Sequence, residues 1–198
     1  MIRYAKRENA FEKAERVWTV EPDALVWSGI DGTYARIPWT DVVAVRLVYA
    51  PTSLKTWRHK LTLKGRNGAT WIIDNAHFKG VGEFEDRSAA FSPFAMACIE
   101  RIAAAAPAAR AALGSDPMAY WTQLAFVAAM VTLLAVVIIL LPTPFGALIW
   151  IKLALIAAML PAMARFVIRS WPRTVPLDPE AFRAALPQGS QTLGSGTA

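Results

Sequence analysis

The chain has 198 residues and is 55% hydrophobic but only 18% charged, where an average soluble domain is roughly 45–50% apolar and about 25% charged. That departure excludes a disordered chain, which needs low hydrophobicity and high net charge, and it points to a membrane segment. The formal charge of +6 is spread along the chain instead of being gathered in one run, which argues against a nucleic-acid partner.

Cys98 is the single cysteine, so no internal disulfide forms, and with only His59 and His77 beside it there is no Cys-rich zinc site. The N-terminus is charged through Arg16 and has no apolar core of a secretory signal. The first domain is therefore expected on the cytoplasmic side.

From Val17 to His77 the apolar residues recur with a period of two, the pattern of an antiparallel sheet. Strands are predicted at 17–20 and 24–27 around the turn Glu21-Pro22-Asp23, then at 34–37 after Asp31-Gly32, a dipeptide suited to a tight hairpin. Val42 to Tyr49 makes a longer strand in which Val43, Val45, Leu47 and Tyr49 share one face. The clearest alternation sets Trp57, His59, Leu61 and Leu63 against Arg58, Lys60, Thr62 and Lys64, as a sheet with one wet face does. Arg66-Asn67-Gly68 turns the chain into a last strand, 70–74.

After a Gly-rich loop at 79–82 the period becomes helical. Ser92 as N-cap and Pro93 at the first helical position predict a helix running to Ala106, followed by a short Ala-rich turn to Leu113. From Pro117 to Ile151 no residue is charged, and Lys152 is the one charge before Arg165. Two apolar segments, about 118–141 and 145–168, are each roughly 36 Å long as helices, enough to cross a hydrocarbon core of about 30 Å. The expectation is a transmembrane hairpin with Arg165, Arg169 and Arg173 on the cytoplasmic side, and with Tyr120, Trp121 and Trp171 as an interfacial belt. After it, 171–198 reads as a cytoplasmic tail with one short helix at 179–186, where Phe182, Ala185 and Leu186 are the apolar contacts, and a disordered end from Gly189.

Lys152 reads either as a lipid-phosphate or ion contact or as a snorkelling side chain. Arg165, Arg169 and Arg173 read as lipid-headgroup contacts. Arg46, Arg58, Lys60, Lys64 and Arg66 form a possible basic sheet face, with an ordinary solvated strand face as the alternative. His59, among apolar neighbours, reads as a core histidine. Glu83, Glu85 and Asp86 form a local acidic cluster that reads as a solvated loop. No phosphate loop, nucleophile elbow or His-containing metal motif is present, so neither catalytic residues, a metal nor a cofactor are expected, and the chain does not read as an enzyme.

The short strands, the run Ile37-Pro38-Trp39-Thr40-Asp41-Val42 leading into a long strand, the further hairpins and one closing helix near Ser92 resemble bacterial pleckstrin-homology-like domains of small membrane proteins. The resemblance covers about residues 14–106. It implies an α+β fold, a bent antiparallel sheet or partly open barrel capped by a C-terminal helix, and a role in binding. Domains of this kind that bind phosphoinositides carry basic residues around the first hairpin, whereas Glu21-Pro22-Asp23 is acidic, which favours a protein partner or a structural role. The resulting expectation has three parts: a domain over 1–116, a transmembrane hairpin over 117–170 and a tail over 171–198. It describes a multi-pass inner-membrane protein with both termini cytoplasmic, acting as an interaction or scaffold module towards the bilayer, a protein partner or a second copy. The alternative is an accessory subunit of a transporter or channel using Lys152 and a kink at Pro161.

Overall fold

Ten of the eleven strands and the first helix precede residue 114 in the computed structural model, which describes residues 1–12, 14–29, 32–140 and 171–187, with isolated positions at 150, 154, 157, 161, 164, 167 and 168. Strands β1 (Ile2–Lys6), β2 (Arg16–Val20), β3 (Ala24–Ser28) and β4 (Tyr34–Pro38) form an antiparallel sheet in chain order. A turn of 3₁₀ helix at Trp39–Asp41 leads into β5 (Val42–Tyr49), β6 (His59–Gly65) and β7 (Thr70–Asp74). These belong to a second sheet, completed at its other edge by β10 (Arg110–Leu113) and β11 (Arg173–Val175) in the order β11-β10-β5-β6-β7. Between them come the hairpin β8 (Ala76–Gly80) and β9 (Glu83–Asp86) and the helix α1 (Ser88–Ala105). Helices α2 (Pro117–Leu140) and α3 (Pro179–Arg183) flank β11 in the sequence.

The chain is α+β and divides into two compact units, Met1–Leu113 with Arg173–Ala198, and Gly114–Pro172. The first unit has one apolar core. Trp39, Tyr4, Phe91, Phe94 and Phe182 are fully buried there, with Leu61, Leu63 and Ile73 from the second sheet and Ile99 and Ile102 from α1. Tyr4 stacks on Phe94 at 5.2 Å between ring centres and meets Phe91 edge-on at 5.7 Å. Trp39 buries its ring completely while its indole N–H donates to the Glu21 carbonyl at 3.1 Å, which satisfies the polar handle of the largest core side chain. Phe182 and Leu186 lie in this same core, and Ser92 Oγ donates to the Pro187 carbonyl at 2.6 Å. Residues 173–187 therefore complete the first unit. Leu113 and Arg173 face each other across the β10–β11 pair, so the chain leaves the first unit and re-enters it on adjacent strands.

Four local expectations change. In β5 a bulge between Val42 and Ala44 turns Val43 out to solvent and sets Val42, Val45 and Leu47 inward, because one extra residue shifts the alternation by one position. The Gly-rich stretch at 79–82 is a hairpin turn in which Gly82 takes a positive φ of 79°, a conformation that a side chain disfavours. The Ala-rich stretch before Leu113 is β10, parallel to β5 with Ala111 opposite Val45. Helix α1 begins at Ser88, a turn before the expected cap, and Pro93 lies inside it. Asp86 Oδ1 accepts from the backbone N–H of Ser88 at 2.8 Å and from its hydroxyl, which secures the upstream start.

The larger correction concerns the membrane. Among the described residues no helix is long and apolar enough to cross one. The uncharged run suggests a span because its hydropathy counts apolar residues without regard to the helix that carries them. In α2 the first turns hold Thr122 and Gln123 and a later turn holds Thr132, with the Thr122 hydroxyl donating back to the Met118 carbonyl at 2.9 Å, so polar side chains interrupt the apolar run. This overturns the expected transmembrane hairpin and the multi-pass inner-membrane placement drawn from it. The expected second segment, 145–168, lies mostly outside the described residues, as does the end from Gly189. Tyr120, Trp121 and Trp171 do not form an interfacial belt. They pack on one another edge to face, with ring centres 5.5 to 6.3 Å apart and Tyr120 fully buried.

Candidate functional site

Strand register decides which of the expected basic residues meet. Across β5 and β6, Arg46 pairs with Thr62, Val48 with Lys60 and Ala44 with Lys64, while Val45, Leu47, Leu61 and Leu63 are buried. Residues directly opposite share a face, so Arg46, Lys60 and Lys64 stand together on the outer face of the second sheet. Arg58 and Arg66 lie just beyond the two ends of β6 and turn elsewhere.

At the Arg58 end the centre is Asp74, the last residue of β7, only 3% exposed. Lys6 Nζ binds its Oδ1, and Arg58 reaches its Oδ2 with Nε at 2.6 Å and also with Nη2. Tyr4 donates its hydroxyl to the Asp74 backbone carbonyl at 2.7 Å. Burial alone would push the Asp74 carboxyl up, but the charges and hydrogen bonds of Lys6 and Arg58 outweigh it and hold the group below the usual carboxylate range.

The 50–58 loop brings one more cation. Thr52 and Lys55 exchange two backbone hydrogen bonds at 3.1 Å, the Ala50 N–H donates to the Arg58 carbonyl at 2.9 Å, and the Tyr49 hydroxyl donates to the Thr56 carbonyl at 2.5 Å. This places Lys55 Nζ over the Phe84 ring, 3.7 Å from its centre, a cation–π contact. Lys60 lies opposite Asp74 across the β6–β7 pair. Burial, and then the positive charge of Arg58, pull the ammonium groups of Lys55 and Lys60 below the usual lysine range.

Asn75 braces this corner from behind. It is fully buried, its Oδ1 accepts from the His59 N–H at 2.8 Å, and its Nδ2 donates to Ser88 Oγ at 2.8 Å. His59 is half-buried, its ring 5.1 Å from that of Tyr49 and its Nδ1 2.9 Å from the Trp57 carbonyl. His77 sits apart in β8, where its Nδ1 accepts from the Arg7 N–H at 3.1 Å, and burial together with Arg87 lowers its pKa. The acidic cluster is divided: Asp86 serves Ser88 and Asn75, while Glu85 faces His77 across the hairpin. No group of three potential metal ligands occurs among the described residues.

At the other end of β6, Arg66 borders an open groove of about 350 Å³ with Arg36, Asp41, Asn67 and Trp71. Gly65 forms part of its wall, and a Cβ there would meet the Trp71 ring at 2.8 Å. Arg36 is held by Glu21 at 2.5 Å and Asp23 at 2.6 Å, so the acidic first turn is matched by an arginine of β4. Of the expected headgroup contacts, Lys152, Arg165 and Arg169 lie outside the described residues, and Arg173 opens β11 as an exposed residue opposite Leu113.

Three residues of the basic corner, Lys6, Lys55 and Asp74, escape a reading of the sequence. Lys6 sits in a strand whose alternation is short and ends on charge, and Lys55 lies in a loop without periodicity. The one available signal was Asp74, an acid closing an otherwise apolar strand. Comparison with known proteins finds no matching family model, no matching curated protein and no matching solved structure.

Proposed function

We propose that the chain is a non-catalytic interaction module, pleckstrin-homology-like in its first unit, which holds an acidic protein partner on the outer face of β5 and β6. The observation that carries this reading is the register that sets Arg46, Lys60 and Lys64 on one side of two paired strands. Lys60 and Lys64 lie on either side of Thr62, the residue opposite Arg46, so the three cations present one positive surface to an acidic partner. Such a face speeds encounter and selects partners by charge more than it adds raw affinity. The acids of the first turn do not oppose the reading, because Glu21 and Asp23 are engaged by Arg36 of β4, in their own sheet.

The test is to pan a displayed library of linear peptides against the full chain. Enriched sequences should be rich in Asp and Glu, their affinity should fall steeply with salt, and it should drop at least tenfold in the Arg46→Glu/Lys64→Glu variant. Enrichment of neutral or basic peptides, or binding indifferent to the charge reversal, would overturn the reading.

A further inference from the structure

Resting on the outer face of β5 and β6 as an acidic partner's docking surface, we propose that Lys55, Arg58 and Lys60 form a cradle for a single phosphate group. The corner gathers four cations, Lys6, Lys55, Arg58 and Lys60, around the one buried carboxylate of Asp74. That carboxylate is used on both oxygens, one by Lys6 and the other by Arg58, and Glu8 also reaches Lys6, at 3.4 Å. Lys55 and Lys60 are left without a carboxylate partner among the described residues. Asp74 engages Arg58 through Nε and Nη2, which holds the guanidinium in place, and among the described residues Nη1 has no carboxylate partner.

The form of the excess selects the ligand. Two uncompensated ammonium groups beside an oriented guanidinium exceed what one carboxylate offers, whereas a phosphomonoester carries about −1.5 to −2 charges and three acceptor oxygens. Lysines supply the point charge and arginine the planar donors for such a group. Burial first, and then the positive charge of Arg58, lowers the pKa of both lysines. Lys55 is kept over the Phe84 ring, and Lys60 is kept by strand register, so the donors are ordered before the ligand arrives, which reduces the cost of binding. Phosphate chemistry has two sources here, a phosphorylated side chain of the acidic partner or free inorganic phosphate.

Inorganic phosphate titrated into the full chain in chloride buffer, followed by backbone amide shifts, should move the amides at 55–60 and at Asp74. The Lys55→Gln/Lys60→Gln variant should weaken that binding at least tenfold while its thermal midpoint stays that of the wild type. A second arm compares one acidic peptide carrying Ser with the same peptide carrying phosphoserine. Preference for phosphoserine by tenfold or more, lost in the double variant, assigns the cradle to a partner's phosphorylated side chain, and equal affinity for inorganic phosphate and phosphoserine peptide assigns it to the free ion. Phosphate binding unchanged in the double variant overturns the cradle. Equal binding of both peptides with no binding of inorganic phosphate also overturns it, and leaves the docking surface standing. Binding of inorganic phosphate with no binding of either peptide keeps the cradle and overturns the docking surface.

Discussion

Lys6 and Asp74, 68 positions apart in the chain, close a buried ion pair that ties the end of β1 in one sheet to the end of β7 in the other. Lys6 is the more deeply buried of the two cations on Asp74, its side chain 4% exposed against 21% for Arg58. Breaking a buried pair from one side costs about 3–5 kcal/mol. Lys6→Met should lower the urea unfolding free energy by more than about 1 kcal/mol but by less than that full figure, because Arg58 still pairs with Asp74. A loss below about 1 kcal/mol would show that the pair is not what joins the sheets there.

The same carboxylate sets an acid limit. Its pKa is lower in the folded chain than the ~3.9 of an unfolded aspartate, so the unfolded state takes up the proton first. The stabilisation is fully present above that unfolded value and is lost as pH falls through the folded one. His77 adds an earlier step by the same sign: its folded pKa lies below the ordinary ~6.5, and stability declines as pH drops from there, where protonation removes the acceptor of the Arg7 N–H. Urea midpoints measured from pH 8 to pH 3 should fall in two stages, and Asp74→Asn should flatten the lower stage and leave the upper one.

Phe182 comes after the second unit in the chain and yet is fully buried in the core of the first. Truncating a buried Phe to Ala costs about 3–5 kcal/mol. Phe182→Ala should destabilise the first unit by that amount in chemical denaturation followed by tryptophan fluorescence. A loss below about 1 kcal/mol would mean that α3 is not part of the core.

What the sequence reveals follows from the range of each signal. Strands β2 to β7 are legible to within a residue or two because alternation and turn residues act over four to eight positions, and the strands have the wet-face pattern that Lys60, Thr62 and Lys64 write opposite Leu61 and Leu63. β1, β10 and β11 are not legible: β1 lies in a charged N-terminal stretch and ends on Lys6, while β10 and β11 are short and owe their strand state to a distant partner, Leu113 to Arg173 for example. The apolar run after Pro117 is plain in the sequence, but hydropathy alone does not specify its surroundings, and the transmembrane reading failed there. The basic face was visible as spacing in β6. Its division into Lys60 and Lys64 outward, Arg58 towards Asp74 and Arg66 towards the groove depends on register and on β1, which lie beyond local pattern.

The central claim is that an acidic partner docks on the outer face of β5 and β6, and the most direct measurement is an amide chemical-shift map of the full chain titrated with an acidic peptide selected from the library. The account predicts that the largest shifts fall on Arg46, Thr62 and Lys64 and extend to Lys60, and that they vanish in Arg46→Glu/Lys64→Glu. Shifts centred on Trp71 and Arg66 in the groove, or unchanged by the charge reversal, would contradict it.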